Sequence, residues 1–517
     1  MRLDAGRSLW LLILALTAVR LWAAAVIPLT EDEAYYRLWS QHLHFGYYDH
    51  PPMIAWWIWL GTLLAGDTAL GVRLLPVLGA AATTWLTADL ARRLGGSART
   101  ALIAALAYNA MLTIGAGGLI ATPDAPAILF WAATLAVLGR IATGGSPRLW
   151  LLAGLTAGLA CISKYSALFL APGVFLWLLS TAENRRRLAT PWPWSAVGVA
   201  GLVFATNLAW NATHGWLTFE KQFGRVEPSQ FRPGYLGEFL TTQFVLLNPL
   251  IAVLAGVGVW AGVRSRGRVG GMDLSLPLLA ALPFCLYLAI HSLHDRVQAH
   301  WPATVFAAFA LAAAAAVEAR PTGWRPTVLG GGLILGAAAM AGVLAWAGLQ
   351  GPPLNSRTDP LLPIRGWTEF AAQVEDARLK AGAEWIGVAH YGALSQLAAT
   401  GRIEAPLVHL IERERWPDAG PAPVDKPGLV LDKSRRLSLA DLQACFRSVT
   451  PVGELVRGVP TSRVDRYPLF RVEGPVEGLL ATGCPDELGK NRRRQAAAAP
   501  TPPPRGDWPA QRTGGGS

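Results

Sequence analysis

The sequence predicts an all-α polytopic membrane protein with about eleven transmembrane helices, followed by a small extracytoplasmic α/β domain. Only 15% of the 517 residues are charged and 52% are hydrophobic, whereas soluble domains carry about 25% charged residues. Apolar runs recur from Leu9 to Trp346, and about 18 such residues suffice to span a bilayer as a helix. The runs are rich in Leu, Ala and Gly and do not alternate with polar residues, which favours helices over barrel strands.

The predicted spans cover residues 8–27, 69–91, 100–119, 124–142, 149–163, 166–181, 194–211, 240–262, 275–291, 300–317 and 327–347. The first follows Arg2 and Arg7 and could pass for a signal peptide. We expect it to be retained as a signal anchor, because it is long and no small-residue cleavage site precedes a mature domain.

Arginine clusters occupy every second loop between these spans. They include Arg92, Arg93 and Arg99; Arg140 and Arg148; Arg185 to Arg187; Arg264, Arg266 and Arg268; Arg320 and Arg325. Because positively charged loops stay in the cytoplasm, the N-terminus is predicted inside the cell and the C-terminal domain outside. The loops at 28–68, 117–124, 164–165, 212–239 and 291–300 then share the extracytoplasmic face of the inner membrane.

Three segments follow from this organisation. Residues 1–349 form the predicted transmembrane module, and residues 350–488 form the α/β domain, with helices near 367–380 and 439–445 and strands near 385–390, 407–411, 429–431 and 469–472. Residues 489–517 are rich in Arg, Ala, Pro and Gly, which predicts a disordered tail. The sequence leaves open whether Cys445 and Cys484 form a disulfide.

Carboxylates at the start of the first outer loop are candidates for a general base. Glu31, Asp32 and Glu33 are consecutive and lie beside apolar helices, and both like charge and desolvation raise a carboxylate pKa. The alternative is a solvated helix N-terminus, where acids favour the helix dipole. Asp124, after Thr122 and Pro123, has the same two interpretations: a helix start, or a second acid that faces the first loop.

Cations on the same face are candidates for holding a phosphate. His50 follows Asp49 and precedes two prolines that fix the chain, although a simple turn is the alternative. Lys164, before Tyr165, is either a phosphate ligand or a lysine that extends to the membrane surface. Arg296 suits a bidentate phosphate contact.

The residues around Arg296 also raise the possibility of a divalent metal ion. His291, His294, Asp295 and His300 form the densest polar group between two spans, and Asp49 could join them. Their spacing fits no standard zinc motif, so no cofactor is firmly predicted. The sequence has no P-loop, dinucleotide-binding fingerprint or nucleophile elbow, and the net charge of +11 is explained by topology rather than by nucleic acid.

Several short motifs together resemble the GT-C-fold glycosyltransferases of the protein O-mannosyltransferase-like group, glycosyltransferase family 39. They are Glu31–Tyr36, Tyr47–Pro52, Thr122–Asp124, Ser163–Tyr165 and His300–Pro302. The resemblance is greater to the bacterial branch that includes aminoarabinose transferases and lipopolysaccharide-core sugar transferases. It implies a polyprenyl-phosphate sugar as donor and Asp32, with Glu33 in support, as the catalytic base. Aminoarabinose transferases carry Glu-Lys before the two prolines, whereas this chain has Asp49-His50, so the resemblance does not identify the sugar.

The resulting hypothesis is an inverting glycosyltransferase of the cell envelope. Asp32 would take the proton of the acceptor hydroxyl, and His50, Lys164 and Arg296 would stabilise the departing phosphate. Supporting positions are Tyr35, Tyr36, Asp49, Asp124, Tyr165, His294 and His300. The acceptor is a lipid such as lipid A or lipopolysaccharide, another glycan or a protein. The alternative function is a transporter or flippase of polyprenyl-linked lipids, although transporters place ionisable residues near the bilayer midplane.

Overall fold

The computed structural model describes residues 4–223, 231–349, 361–416, 418, 423–433, 439–459 and 462–476. The chain divides into two compact units. The first comprises Met1–Trp367 with Gly458–Val464, and the second comprises Thr368–Arg457 with Asp465–Ser517.

The first unit is helical. In its described residues the helices are α1 (Ala5–Val26), α2 (Glu31–Trp39), α3 (Met53–Ala65), α4 (Ala69–Arg93), α5 (Ala98–Ala110), α6 (Leu112–Gly115), α7 (Asp124–Ala142), α8 (Leu149–Cys161), α9 (Leu170–Ser180), α10 (Ala182–Leu188), α11 (Pro191–Thr213), α12 (Leu217–Phe223), α13 (Gly234–Leu246), α14 (Pro249–Arg264), α15 (Ser275–His291), α16 (Phe306–Ala319) and α17 (Trp324–Gly348). Tight 3₁₀ turns cover Gly117–Leu119, Tyr165–Phe169 and Trp301–Val305, and a short hairpin joins β1 (Arg268–Val269) to β2 (Met272–Asp273).

The predicted spans all fall on helices, but the structure does not establish that there are eleven. Among the described residues, six helices are long and apolar enough to cross a membrane: α1, α4, α7, α11, Trp301–Ala319 and α17. Two bent pairs raise the number to eight if each is one span. The predicted spans at 149–163, 166–181 and 275–291 correspond to shorter apolar helices of 10–17 residues.

Two predicted spans differ from the single helices that the sequence suggested. Residues 240–262 are broken between α13 and α14, which meet at 105°. The break falls at Asn248, whose φ is +66°, and at Pro249, which has no N–H to continue the helix. Residues 100–119 bend by 84° after α5, and the buried Arg20 guanidinium donates to the Ile114 and Gly115 carbonyls beyond the bend, at 2.9 and 3.2 Å. Hydropathy does not register either break.

Small residues allow the helices to approach closely. Gly258 of α14 faces the Ala312 backbone of α16, Gly154 of α8 faces Ala196 of α11, and a Cβ at either glycine would collide with the opposite backbone. Such contacts hold helices together where lipid provides no hydrophobic driving force between them.

The predicted cytoplasmic loops meet one another. Asp89 accepts from Arg93 at 2.8 Å and from Arg140 at 3.5 Å, and Arg187 donates to the Ile141 carbonyl at 2.7 Å. The Asp273 N–H donates to the Leu94 carbonyl at 2.8 Å. Loops that the arginine pattern places on one side of the membrane thus lie at one end of the helices.

The second unit contains a five-stranded sheet. Its described elements are α18 (Trp367–Lys380), β3 (Trp385–Val388), α19 (Tyr391–Ala399), β4 (Leu407–His409), β5 (Gly428–Leu431), α20 (Leu439–Gln443), β6 (Phe446–Val459) and β7 (Ser462–Pro475). The first residue of α18, the last two of β6 and the first three of β7 belong to the first unit. The strand order is β4-β3-β5-β7-β6, with β3 parallel to β4 and β5, and β5 antiparallel to β7. The sequence located α18, α20 and four of the strands, but it did not predict α19 or the long β6.

The domain limits inferred from the sequence stay predictions. Cys484 and the proposed disordered tail at 489–517 lie outside the described residues. Cys445 is buried and disulfide-bonded, whereas Cys161 and Cys285 are free.

Candidate active site

The first turn of α2 is fixed by Glu33. The Thr30 hydroxyl caps the Glu33 N–H at 3.2 Å and Glu33 Oε2 accepts the Thr30 N–H at 2.9 Å, which forms a capping box. Glu33 also forms a bidentate ion pair with Arg73 of α4, at 2.7 and 2.6 Å, and accepts the Ala121 N–H at 3.0 Å. One carboxylate therefore joins the first outer loop, α4 and the segment that leads to Asp124.

The Glu33–Arg73 pair is fully enclosed, with side-chain exposures of 0% and 1%. Burial alone raises the pKa of Glu33, but the adjacent guanidinium and the backbone donors outweigh burial and hold that pKa below its ordinary value. Arg73 uses its remaining donors on the Ala24, Ile27 and Pro28 carbonyls at the end of α1. Since both groups are saturated with partners, this geometry suits a structural support for the neighbouring Asp32 rather than proton transfer.

A second carboxylate–cation group is partly open. Asp124, at the first position of α7, accepts from Lys164 Nζ at 2.7 Å and lies 3.5 Å from His300 Nε2. The Asp124 and Lys164 side chains are 9% and 12% exposed, whereas His300 is 47% exposed. His50 lies within electrostatic range of Asp124, and Asp32 within that of His300. Two carboxylates, two histidines and a lysine from four of the predicted outer loops thus lie near one another.

Local chain geometry explains this convergence. Pro123 precedes α7 and places Asp124 at its positive end, and Lys164 follows the end of α8 in extended conformation, just before the turn Tyr165–Phe169. His300 directly precedes the turn Trp301–Val305. In each case the polar residue stands where an apolar helix begins or ends, which is where a membrane protein can keep it near water.

The turn that carries Asp49 and His50 packs against α2. Tyr35 donates its hydroxyl to Asp49 Oδ2 at 2.9 Å, and both side chains are buried. The Tyr36 ring lies 6.3 Å from the His50 ring. The Met53 N–H, after the two prolines, donates to the Ile162 carbonyl at 3.1 Å, which brings this turn beside the segment of Lys164.

Arg296 is placed differently from the other proposed phosphate ligands. Its guanidinium contacts Glu238 at 3.1 Å and stacks over the Tyr235 ring at 5.2 Å, and it is 69% exposed. The structure does not bring it into the group around Asp124. Its guanidinium is instead engaged by two residues of α13, Glu238 and Tyr235.

The proposed metal ligands do not gather either. His294 lies against Phe231, and His291 against Tyr287 and Trp301, while Asp49 is engaged by Tyr35. Within the described ranges, no three His, Cys, Asp or Glu side chains are arranged to hold a metal ion.

Three residues of this region, Arg73, Asn207 and Asn211, were not predicted from the sequence. Tyr165 donates to Asn207 Oδ1 at 2.7 Å, and Asn211 Nδ2 lies 3.4 Å from the Tyr165 hydroxyl. A signal existed for each, because ionisable and amide side chains inside apolar spans are costly and usually have specific partners.

The sequence matches a known protein family and several relatives. Residues 49–210 match the family described as dolichyl-phosphate-mannose-protein mannosyltransferase. The chain is 31% identical over 283 residues to the lipid A galacturonosyltransferase RgtD of Rhizobium johnstonii, which covers 54% of this chain and 58% of that protein. It is 35% identical over 134 residues to an undecaprenyl phosphate-α-4-amino-4-deoxy-L-arabinose arabinosyl transferase of Pseudomonas aeruginosa, over 26% of this chain and 24% of the relative. The matches thus span less than two thirds of either relative.

Solved structures show the fold. The apo structure of ArnT from Cupriavidus metallidurans superposes with a TM-score of 0.62 at 14% identity, over 90% of this chain and 98% of that one. The structure of the same protein bound to undecaprenyl phosphate gives a TM-score of 0.60 at 12% identity, over 89% and 97%. The chain therefore has the GT-C fold, and the resemblance to the mannosyltransferase-like family that its motifs indicated is confirmed.

Proposed function

We propose that this protein is an inverting glycosyltransferase of the cell membrane that moves a sugar from a polyprenyl-phosphate donor to an extracytoplasmic acceptor. The observation that carries the proposal is the convergence of Asp32, His50, Asp124, Lys164 and His300 at the outer ends of apolar helices. A lipid-borne donor explains such a site without any nucleotide-binding motif. The fold and the similarity to proteins named as polyprenyl-phosphate-dependent transferases support it.

The reaction requires a base and a cationic site on opposite sides of the anomeric carbon. In our proposal Asp32 accepts the proton of the acceptor hydroxyl as its oxygen bonds to that carbon, and the bond from the carbon to the phosphate oxygen breaks. The electron pair leaves with the polyprenyl phosphate, whose growing charge Lys164 and His50 stabilise. Displacement from the opposite face inverts the anomeric configuration.

Asp124 and His300 would tune this cationic site. The Asp124 carboxylate holds Lys164 Nζ at 2.7 Å, so it fixes the ammonium while reducing its charge. His300 can shield the pair and contact the leaving phosphate. Arg296 remains a proposed ligand at the rim, with a weaker role because Glu238 already neutralises it.

We propose lipid A or a related lipopolysaccharide component as the acceptor, since RgtD is named for lipid A. The residues do not identify the sugar, and Asp49-His50 departs from the aminoarabinose transferases. Mass spectrometry of envelope glycolipids from cells with and without the gene tests the proposal. Loss of one sugar-modified glycolipid, restored by the wild-type gene but not by Asp32→Asn, would support it. A modified glycolipid that persists without the gene, or full rescue by Asp32→Asn, would reject it.

A further inference from the structure

Two buried asparagines stand one helical turn apart at the outer end of α11. Asn207 and Asn211 are both 0% exposed, within a helix that is long and apolar enough to span the membrane. Amides in such a helix are unfavourable unless their hydrogen bonds are satisfied. Their partners therefore indicate what the two residues hold.

Asn207 joins two different outer segments. Its Nδ2 donates to the Phe45 carbonyl at 2.8 Å, and its Oδ1 accepts from the Tyr165 hydroxyl at 2.7 Å. Phe45 lies five residues before His50, and Tyr165 directly follows Lys164. Both ends of one short side chain thus reach the segments that carry the two proposed phosphate ligands.

Asn211 reinforces the same connection. Its Nδ2 donates to the Asn207 carbonyl at 3.0 Å, and its Oδ1 accepts the Thr218 N–H of α12 at 3.2 Å. The Thr218 hydroxyl in turn donates to the Tyr47 carbonyl at 2.6 Å. The turn before His50 is therefore fixed from two directions.

The turn itself has little freedom to move away. The Tyr47 N–H donates to the His50 carbonyl at 3.1 Å, which closes the turn. A Cβ at Gly46 would collide with the Trp210 ring and would lie 2.8 Å from Asn207 Nδ2. The backbone is thus pressed directly against the face of α11 that carries Asn207.

We infer that Asn207 and Asn211 are positioning residues that set the spacing between Lys164 and His50 across the donor phosphate. The inference rests on the proposed function, since it concerns the same phosphate site. Misplacing a reacting group by about 1 Å can lower a rate by about 10²-fold. Loosening these two segments should therefore lower kcat even in a protein that stays folded.

The test compares Asn207→Ala with a matched asparagine at the other end of the helices. Asn184 is also buried and donates Nδ2 to the Trp177 carbonyl at 3.2 Å, so Asn184→Ala removes a similar bond away from the site. In detergent-purified full-length protein we expect Asn207→Ala to lower kcat at least about tenfold. Asn184→Ala should lower Tm while leaving kcat per folded molecule unchanged. Equal kcat for wild type and Asn207→Ala would overturn the inference.

A double-mutant cycle separates positioning from general destabilisation. If Asn207 acts through Lys164, Asn207→Ala should lower kcat much less in a Lys164→Ala background than in wild type. An undiminished effect in that background would contradict the inference. Tyr165→Phe keeps the ring and removes only the hydroxyl, so it provides the same cycle if Asn207→Ala does not fold.

The same experiment distinguishes this inference from the proposed function. If Lys164→Ala alone has wild-type kcat, the phosphate site itself is wrong and the inference fails with it. If Lys164→Ala is impaired but both Asn207→Ala and Tyr165→Phe are not, the site stands and the positioning role is rejected.

Discussion

Two carboxylate–cation pairs, Glu33–Arg73 and Asp124–Lys164, lie at the end of the helical unit that the arginine pattern predicts to be extracytoplasmic, and they differ in what surrounds them. Glu33 and Arg73 are 0% and 1% exposed, and their polar atoms engage one another and backbone groups. Asp124 and Lys164 are joined by one 2.7 Å contact, retain 9% and 12% exposure, and have a half-exposed histidine beside them. The first pair is suited to hold segments together, whereas the second can still meet a charged substrate.

The comparison shows that an ion pair between a carboxylate and a cation does not by itself identify a residue that acts in catalysis. Breaking a buried ion pair by removing one partner costs about 3–5 kcal/mol, so either pair would appear important in a stability measurement. Separate measurements of kcat and stability are needed to distinguish them.

The largest effect on turnover should come from Asp32, which precedes Glu33 of the buried Glu33–Arg73 pair. We expect Asp32→Asn to lower kcat about 10²–10⁴-fold, because loss of a general base typically has that effect. Tm should change little, since Asp32 is only partly buried. Glu31→Gln is the matched control on the preceding residue and should retain most activity; similar losses in both variants would point to helix capping rather than proton transfer.

Substitutions in the partly exposed Asp124–Lys164 pair should have the next largest effect on kcat. We expect Lys164→Ala to lower kcat about 10²-fold through loss of transition-state charge stabilisation, and to lower stability because Asp124 is left buried without its ammonium. Adding Asp124→Asn should restore Tm but not kcat. Recovery of kcat in the double variant would show that Lys164 only neutralises Asp124.

Substitutions in the buried Glu33–Arg73 pair should affect stability more than turnover. Arg73→Met should destabilise the protein by about 3–5 kcal/mol, and the double variant Glu33→Gln with Arg73→Met should recover part of that loss. Chemical or thermal unfolding of the purified protein measures both. A kcat loss in the folded double variant as large as that of Asp32→Asn would contradict the assignment of the pair to support.

The pH dependence of stability gives a further test of Glu33. Its pKa in the folded protein lies below the ordinary value of 4.5, so the unfolded state takes up the proton first as pH falls. The stabilisation is complete above that ordinary pKa and is lost as pH falls through the folded-state pKa. Glu33→Gln should therefore flatten the acid limb of Tm against pH, and an unchanged acid limb would count against this assignment.

The smallest effect is expected for Arg296. Its pair with Glu238 is exposed, and exposed pairs contribute about 0–1 kcal/mol. We expect Arg296→Ala to change Tm negligibly and kcat by less than about fivefold. If Arg296→Ala lowered kcat as much as Lys164→Ala does, Arg296 would have to be a direct ligand of the donor phosphate.

Much of this arrangement could be predicted from sequence, because it depends on local signals. Apolar runs located the helices, and the arginine-rich loops predicted that five polar residues share one face: Asp32, His50, Asp124, Lys164 and His300. Exposure and pairing could not be predicted. The family resemblance assigned Asp32 as the base and Glu33 as its support, but the sequence did not predict that Arg73, forty residues away, encloses Glu33.

The bent helices were missed for a related reason. Hydropathy measures composition. It does not detect the positive φ at Asn248, and it does not detect the hydrogen bonds that the Arg20 guanidinium donates to carbonyls beyond α5. Likewise, Arg296 was assigned to the phosphate by the chemistry of its side chain, whereas its ion pair with Glu238 depends on how α13 packs.

Single-turnover transfer in reconstituted membranes tests the central claim most directly. Wild-type protein in nanodiscs, given undecaprenyl-phosphate sugar and lipid A, should release one undecaprenyl phosphate for each sugar-modified lipid A. The new linkage should have the anomeric configuration opposite to that of the donor. Asp32→Asn should bind undecaprenyl phosphate like wild type but form almost no product. Product from Asp32→Asn at the wild-type rate, or retention of configuration, would contradict the account.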